Sequence, residues 1–205
     1  MRAAGQIQRA IELGESVLAV SVQAHGDIHR STSLARFALA LALTDADRHD
    51  EAEAQLTASI AALRELEDMR AELPSHLAWQ GEVLIRQAKF AEAIAVLLEA
   101  ESIRDHEFPE VARRYRVASQ NRLVQAQAAL GNCTVAREYQ QNIQDDMDAA
   151  EAGLALASDI YLLNCQTTGG EARIHYSEIL TALDDVEIDD PSMRAALRWA
   201  WEQGF

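Results

Sequence analysis

Few residues of this chain have the type and spacing to do chemistry. His25 and His29 are four apart, the spacing at which one helix face offers two imidazoles to a metal ion. Gly26-Asp27 lies between them, which reads as a linker, and no Glu follows in an HExxH arrangement. The run Asp45-Ala46-Asp47-Arg48-His49-Asp50 groups three carboxylates and an imidazole, as a calcium loop would begin. The required glycine is absent and the twelfth position is Leu56 rather than Glu, so the run reads as a solvated turn with an Asp helix cap. Asp145-Asp146-Met147-Asp148 reads the same way. Cys133 and Cys165 are the only cysteines and make no CxxC or metal pattern. Cys133 follows Gly131 in a turn without a positioned His, so it reads as a small packing residue. GxSxG, P-loop and dinucleotide fingerprints are absent, and Thr167-Thr168-Gly169-Gly170 is a single turn. The sequence therefore predicts no catalytic residue, no metal site and no cofactor, and the chain is not expected to be an enzyme.

With catalysis set aside, the elements carry the argument. The chain has 205 residues, enough for a sizeable core. Its apolar fraction is 49 %, which marks it as globular rather than disordered. Alanine, leucine, glutamate, glutamine and arginine dominate, and only Pro74, Pro109 and Pro191 break the pattern, so the expected class is all-α. The net charge of −15 argues against a nucleic-acid partner, because phosphate contacts need clustered Lys and Arg. The first residues are interrupted by Gln6, Gln8, Arg9, Glu12 and Glu15, so neither a signal peptide nor a membrane span is read there. Two cysteines without a framework fit a reduced, cytoplasmic setting most simply, with a periplasmic one as the alternative.

Helical segments recur. Residues 48–63, 89–100, 131–143 and 167–183 each begin at a polar turn and then place a small residue, with a larger one about four later. The small residues are Ala52, Ala93, Ala136 and Ala172, spaced 41, 43 and 36 apart. Another helix precedes each: 31–46 (Leu34, Phe37, Ala38, Leu41, Ala42), 75–88 (Leu77, Gly81, Leu84, Ile85, Ala88), 113–131 (Val117, Gln120, Leu123, Val124, Gln127, Leu130) and about 149–165 (Leu154, Leu156, Ile160, Leu163, Asn164). Linkers are expected at His25-Gly26-Asp27, Leu73-Pro74-Ser75 and Phe108-Pro109-Glu110.

These residues resemble the tetratricopeptide (TPR) superfamily. Gly81, Phe90, Ala93 and Ala100 match its signature in the second pair, Gly131 and Ala136 in the third, and Ala40, Ala52 and Ser59 in the first. The physical logic is that a small side chain lets two antiparallel helices approach closely while larger residues pack around it. The spacing is similar to a longer kinesin-light-chain-like variant of roughly 42 residues per unit. The resemblance implies a right-handed superhelical solenoid of antiparallel helix pairs. One helical-repeat domain over 1–205 is expected, with pairs at 31–68, 75–105, 110–146 and 149–185. Residues 1–24 read as an orphan helix or the second helix of an earlier repeat. Residues 190–205, with Asp190 as N-cap, Pro191 at the first helical position and Met193, Leu197 and Trp201 on one face, read as a capping helix.

The resemblance further implies a protein–protein interaction module in which the first helix of each pair lines a concave groove. By that alignment the groove residues are Phe37, Leu41, Thr44 and Asp45, then Ala78, Trp79, Glu82, Ile85 and Arg86, then Ala118, Asn121, Arg122 and Gln125. Trp79, Glu82, Arg86, Asn121, Arg122 and Gln125 are the candidate partner-binding site for a peptide or helix. Asp45 and Glu82 favour a partly basic ligand. The carboxylate clamp of chaperone-binding members is absent. The alternative is a regulatory or ligand-sensing domain of a larger bacterial signalling protein, such as a kinase or transcription activator.

Overall fold

A computed structural model describes residues 2–146, 157, 159–165, 196–198 and 200. The described residues are helical or in turns, with no strand among them. The chain divides into two compact units, residues 1–108 and 109–205, and the division falls at Phe108-Pro109. The first unit holds α1 (Arg2–His25), α2 (Arg30–Asp45), α3 (His49–Glu65), a 3-10 turn (Glu67–Glu72), α4 (Leu73–Arg86) and α5 (Phe90–Glu107). The second holds α6 (Pro109–Ala129), α7 (Cys133–Asp146) and a short 3-10 segment, Leu162–Cys165. Most of the expected fourth pair and C-terminal helix, with Gly169-Gly170, Asp190, Pro191, Met193 and Trp201, lies outside the described residues.

The repeat is legible down to single hydrogen bonds. Asp47, Ala88 and Gly131 stand 41 and 43 residues apart, and all three have left-handed backbones, with φ of 57°, 58° and 76°. The N–H groups of these three donate to Thr44, Ile85 and Ala128 oxygens at 3.1, 2.9 and 3.0 Å. Those of the residues that follow, Arg48, Lys89 and Asn132, reach Leu43, Leu84 and Gln127 oxygens, each at 2.9 Å. This is the Schellman closure, which satisfies carbonyls left open at a helix end. The next helix then starts with Ala52, Ala93 and Ala136 donating to Arg48, Lys89 and Asn132 oxygens. The three small residues aligned by sequence thus occupy one structural position.

Left-handed backbone favours glycine, and Ala88 carries a Cβ there. Ala88→Gly is expected to stabilise the chain by about 1 kcal/mol in urea denaturation. Gly131→Ala should cost a similar amount, since an added Cβ there meets no atom within 4 Å and only the backbone conformation is penalised. Shifts of the same sign for the two variants, or the reverse pattern, would contradict this account of the turns.

Three boundaries differ from expectation, and at one of them Pro109-Glu110 is the first turn of α6 rather than a linker. Leu73-Pro74-Ser75 is the first turn of α4 rather than a linker, and the 3-10 turn Glu67–Glu72 makes the connection. Proline near a helix start loses no bond, because its missing N–H would have no intrahelical partner. The acidic turn before α3 also differs. Arg48, not an aspartate, is the N-cap residue, and it makes no side-chain cap. Asp47 takes the left-handed position instead, while Asp50 and Glu51 sit in the first turn, where the helix dipole favours negative charge.

Among the described residues of the first unit, one core cluster lies along the N-terminal half of α3 and another along its C-terminal half. Ile11, Leu39, Ala40, Leu43, Ala52, Leu56 and Val83 make one, and Ile60, Leu63, Met69, Leu73, Leu77 and Ala100 make the other. Gly81 allows the closest approach. An added Cβ there would lie 2.6 Å from Leu97 Cγ. On α1, Gly14 plays a looser version of the same part against Leu39 of α2. Ion pairs between successive second helices, Lys89–Glu53 and Arg64–Glu99 at 2.8 Å, tie α3 to α5. They lie at half-exposed positions, where such pairs contribute little energy.

In the second unit, Val117, Val124, Ala128, Ala136 and Ile143 pack with Ile160, Tyr161, Leu163, Ala196 and Ala200. Cys133, at the start of α7, is joined to Cys165 by a disulfide, with Cα atoms 5.4 Å apart. Cys133 does pack against this core, as its reading as a packing residue expects, but the bridge to Cys165 was not expected. The pairing crosses 32 residues of sequence and depends on the chain returning to α7, which spacing alone does not disclose.

Candidate functional site

The geometry begins with burial around the first helices. On α4, between Leu73 and Ile85, every residue is buried except Ser75, Trp79, Gln80 and Glu82, and Gln80 is bonded to Thr57 of α3 at 3.1 Å. With Arg86, which is exposed, Ser75, Trp79 and Glu82 form a stripe spaced four, three and four residues, one side of an α-helix. On α2 the corresponding positions, 41 residues earlier, are Leu34, Ala38, Leu41 and Asp45. Three of these are exposed and Leu41 is half-buried. On α6, 43 residues later, they are Ala118, Arg122, Gln125 and Ala129, all half-buried, while every other residue from Val117 to Ala128 is buried. One stripe per first helix therefore stays open, in a constant register.

In the first unit two of these stripes belong to neighbouring helices. Phe37 of α2 stacks on His76 of α4 with ring centroids 4.1 Å apart and planes 13° from parallel. Each ring sits one residue from the stripe of its own helix. The resulting face has an apolar end, with Leu34, Ala38 and half-buried Trp79, and a charged end with Asp45, Glu82 and Arg86. Glu82 and Arg86 are paired at 2.8 Å, and Trp79 also leans on the core of α1, α2 and α3.

The structure thus puts Trp79, Glu82 and Arg86 on one stripe of α4, and Arg122 and Gln125 on one stripe of α6. Asn121 is off that stripe and buried, 5 % exposed, and its Oδ1 accepts no hydrogen bond from the described residues. Arg122 reaches back to the Ala118 oxygen at 3.4 Å. Thr44, Ala78 and Ile85, expected to line the groove, are buried, and Phe37 is committed to its stack on His76. The reason is that a first helix is covered from two sides. In the first unit α4 packs against both α3 and α5. That leaves one open stripe rather than a half-cylinder.

Sequence reasoning missed a buried polar cluster under this face. Ser59 Oγ lies 2.9 Å from both the Ser33 carbonyl oxygen and His76 Nδ1. Ser33, Ser59 and His76 are each no more than 1 % exposed. The carbonyl can only accept, so the single Ser59 hydroxyl hydrogen goes to it, and His76 Nδ1 must donate to Ser59. Neutral His76 is thus fixed with its proton on Nδ1. Burial pushes its pKa down from the ordinary 6.5 to about 4. The only sequence signal was that Ser59 replaces the alanine found 41 residues later at Ala100. His29 turns out to be a capping residue. Its Nδ1 accepts from the Ser31 N–H at 3.1 Å and its ring stacks on His25.

Among solved structures, the chain is similar to two crystal structures of nearly identical TPR-like repeats from a Podosopora anserina protein described as a kinesin light chain. Identity is 23 % in both cases. One, a point variant, aligns with a TM-score of 0.67 over 88 % of each chain. The other aligns with a TM-score of 0.64 over 99 % of this chain and 92 % of that one. The fold is a TPR-like helical repeat. No protein-family model and no curated protein matches the sequence. The TPR-like assignment agrees with the Schellman turns and buried alanine seats, which set the unit length independently of the comparison. Among the described residues, no helix is long and apolar enough to cross a membrane.

Proposed function

We propose that this TPR-like chain is a protein-interaction module that takes a helix or peptide of a partner protein along the open stripes of its first helices. The observation behind the reading is the recurrence of that stripe, at Leu34, Ala38, Leu41 and Asp45 and again at Ser75, Trp79, Glu82 and Arg86, on neighbouring helices. Its apolar end suits the apolar side of an amphipathic ligand, and its Asp45 and Glu82 end suits a basic residue. Trp79 supplies the large, stiff anchor that dominates such interfaces. Arg122 and Gln125 carry the corresponding stripe on α6 of the second unit. The polar groups that meet beneath the face, the Ser33 carbonyl, Ser59 Oγ and His76 Nδ1, are committed to holding helices together, which favours binding over catalysis.

A displayed library of helical and extended peptides, selected on the intact chain, tests this. Selected peptides are expected to carry a basic residue beside an apolar pair. Asp45→Lys is expected to weaken them about tenfold, roughly 1.4 kcal/mol, with unchanged circular dichroism. Arg122→Glu should weaken peptides that select the α6 stripe of the second unit. Peptides indifferent to Asp45→Lys, Trp79→Ala and Arg122→Glu alike would place binding elsewhere and refute the stripe.

A further inference from the structure

The two ends of the disulfide stand in different surroundings. Cys133 is half-buried at the first turn of α7, where it packs on the edge of the second unit's core, and its neighbours Gly131, Asn132, Thr134 and Val135 are all exposed. Cys165 is 8 % exposed and closes a run in which Ile160, Tyr161, Leu162 and Leu163 are buried in the second unit's core. A thiolate attacking a disulfide must approach one sulfur along the S–S axis, so access selects which sulfur is attacked.

From this asymmetry we infer that Cys133 is a thiol-modification site. A small thiol of the glutathione class attacks Cys133 Sγ and forms a mixed disulfide there. The S–S bond to Cys165 breaks as the new bond forms, and its electron pair leaves on Cys165 Sγ, which takes up a proton. A second small thiolate then attacks the sulfur of the bound small thiol, releasing a small-molecule disulfide and Cys133 as thiolate. In sum, two thiols are oxidised to one disulfide and the protein disulfide is reduced to two thiols. The reverse sequence, starting from a small-molecule disulfide, thiolates Cys133 first and lets Cys165 close the bridge. Cys133 opens the helix that supplies Ala136 and Ile143 to the core, so the redox state of the medium acts on the anchoring of α7. Both cysteines of the chain lie in the second unit, so the packing of α2 to α5 is spared.

The test uses the full chain, air-oxidised and then held in reduced glutathione, acid-quenched, alkylated and mapped by mass spectrometry. The expected adduct is glutathione on Cys133, at least tenfold over Cys165. Cys165→Ser should accumulate the Cys133 adduct from oxidised glutathione, because no resolving thiol remains. Hydrogen exchange should quicken in α7 on reduction and stay unchanged in α2 to α5. Adducts on Cys165, equal labelling of the two sulfurs, or two free thiols in the air-oxidised chain would each overturn the inference. The wild-type mapping stands alone should Cys165→Ser fail to fold.

Discussion

Gly81→Ala is expected to destabilise the chain by roughly 2 kcal/mol in wild type, and to be neutral or stabilising once Leu97 is alanine. In an open helix the substitution would help by about 1 kcal/mol, because glycine is a poor helix former. Here the new Cβ would lie 2.6 Å from Leu97 Cγ and 2.7 Å from Leu97 Cδ2. Leu97 is fully buried, so the overlap must be absorbed by the packed α4–α5 contact and not by a side chain swinging into water. Overpacking costs about 1–3 kcal/mol, and an overlap this close lies at the upper end of that range, which leaves roughly 2 kcal/mol after the helix-propensity gain. Leu97→Ala alone should cost about 3 kcal/mol through lost burial and a cavity. In that background the Cβ that Gly81→Ala adds has room and fills part of the void, so the sign reverses. Urea denaturation of the four proteins gives the coupling directly. Additive effects would mean that the glycine does not set the distance between α4 and α5.

That pair also shows what the sequence could disclose. The alanine seats, Gly81 and the polar turns are local signals, and each recurs, so one weak copy supports another. Ala52, Ala93 and Ala136 were aligned by residue size alone and prove to donate the same hydrogen bond at the same point of the turn. The stripe at Trp79, Glu82 and Arg86 was legible for the same reason, since helical spacing fixes which residues share a side. Asn121 was misplaced because it lies one residue from Arg122, and one residue turns an α-helix by roughly 100°. The Cys133–Cys165 bridge and the Ser59–His76 contact depend on which helices meet. His76 in particular follows Pro74-Ser75 in what reads as a linker, where a histidine would ordinarily face water.

The burial of His76 carries the second large effect. The stability of the wild-type chain is expected to be level above pH 7 and to fall by about 2 kcal/mol between pH 7 and pH 5. The direction follows from proton binding. In the unfolded chain the imidazole takes up a proton near its ordinary 6.5, whereas in the folded chain burial holds its pKa at about 4. Between those values the unfolded state binds the extra proton, so stability is lost as pH falls, by about 1.4 kcal/mol per pH unit at most. Folding resists the proton because burial strips away the water that would solvate an imidazolium, with Phe37 covering one ring face; burial is the one cause of the shift. Stopping at pH 5 keeps the comparison above the range in which Glu53 and Glu107, held low by hydrogen bonds from Lys89 and Arg70, titrate. His76→Asn is the control, because an Asn amide can donate to Ser59 from near the Nδ1 position but does not titrate. It will lower stability at every pH through the lost stack with Phe37, so the slope is the readout. A flat profile for His76→Asn beside a falling one for wild type assigns the loss to this ring. Parallel slopes in the two proteins would show that His76 is protonated in the folded chain at little cost, and the buried Ser33–Ser59–His76 junction would then have to be open to water.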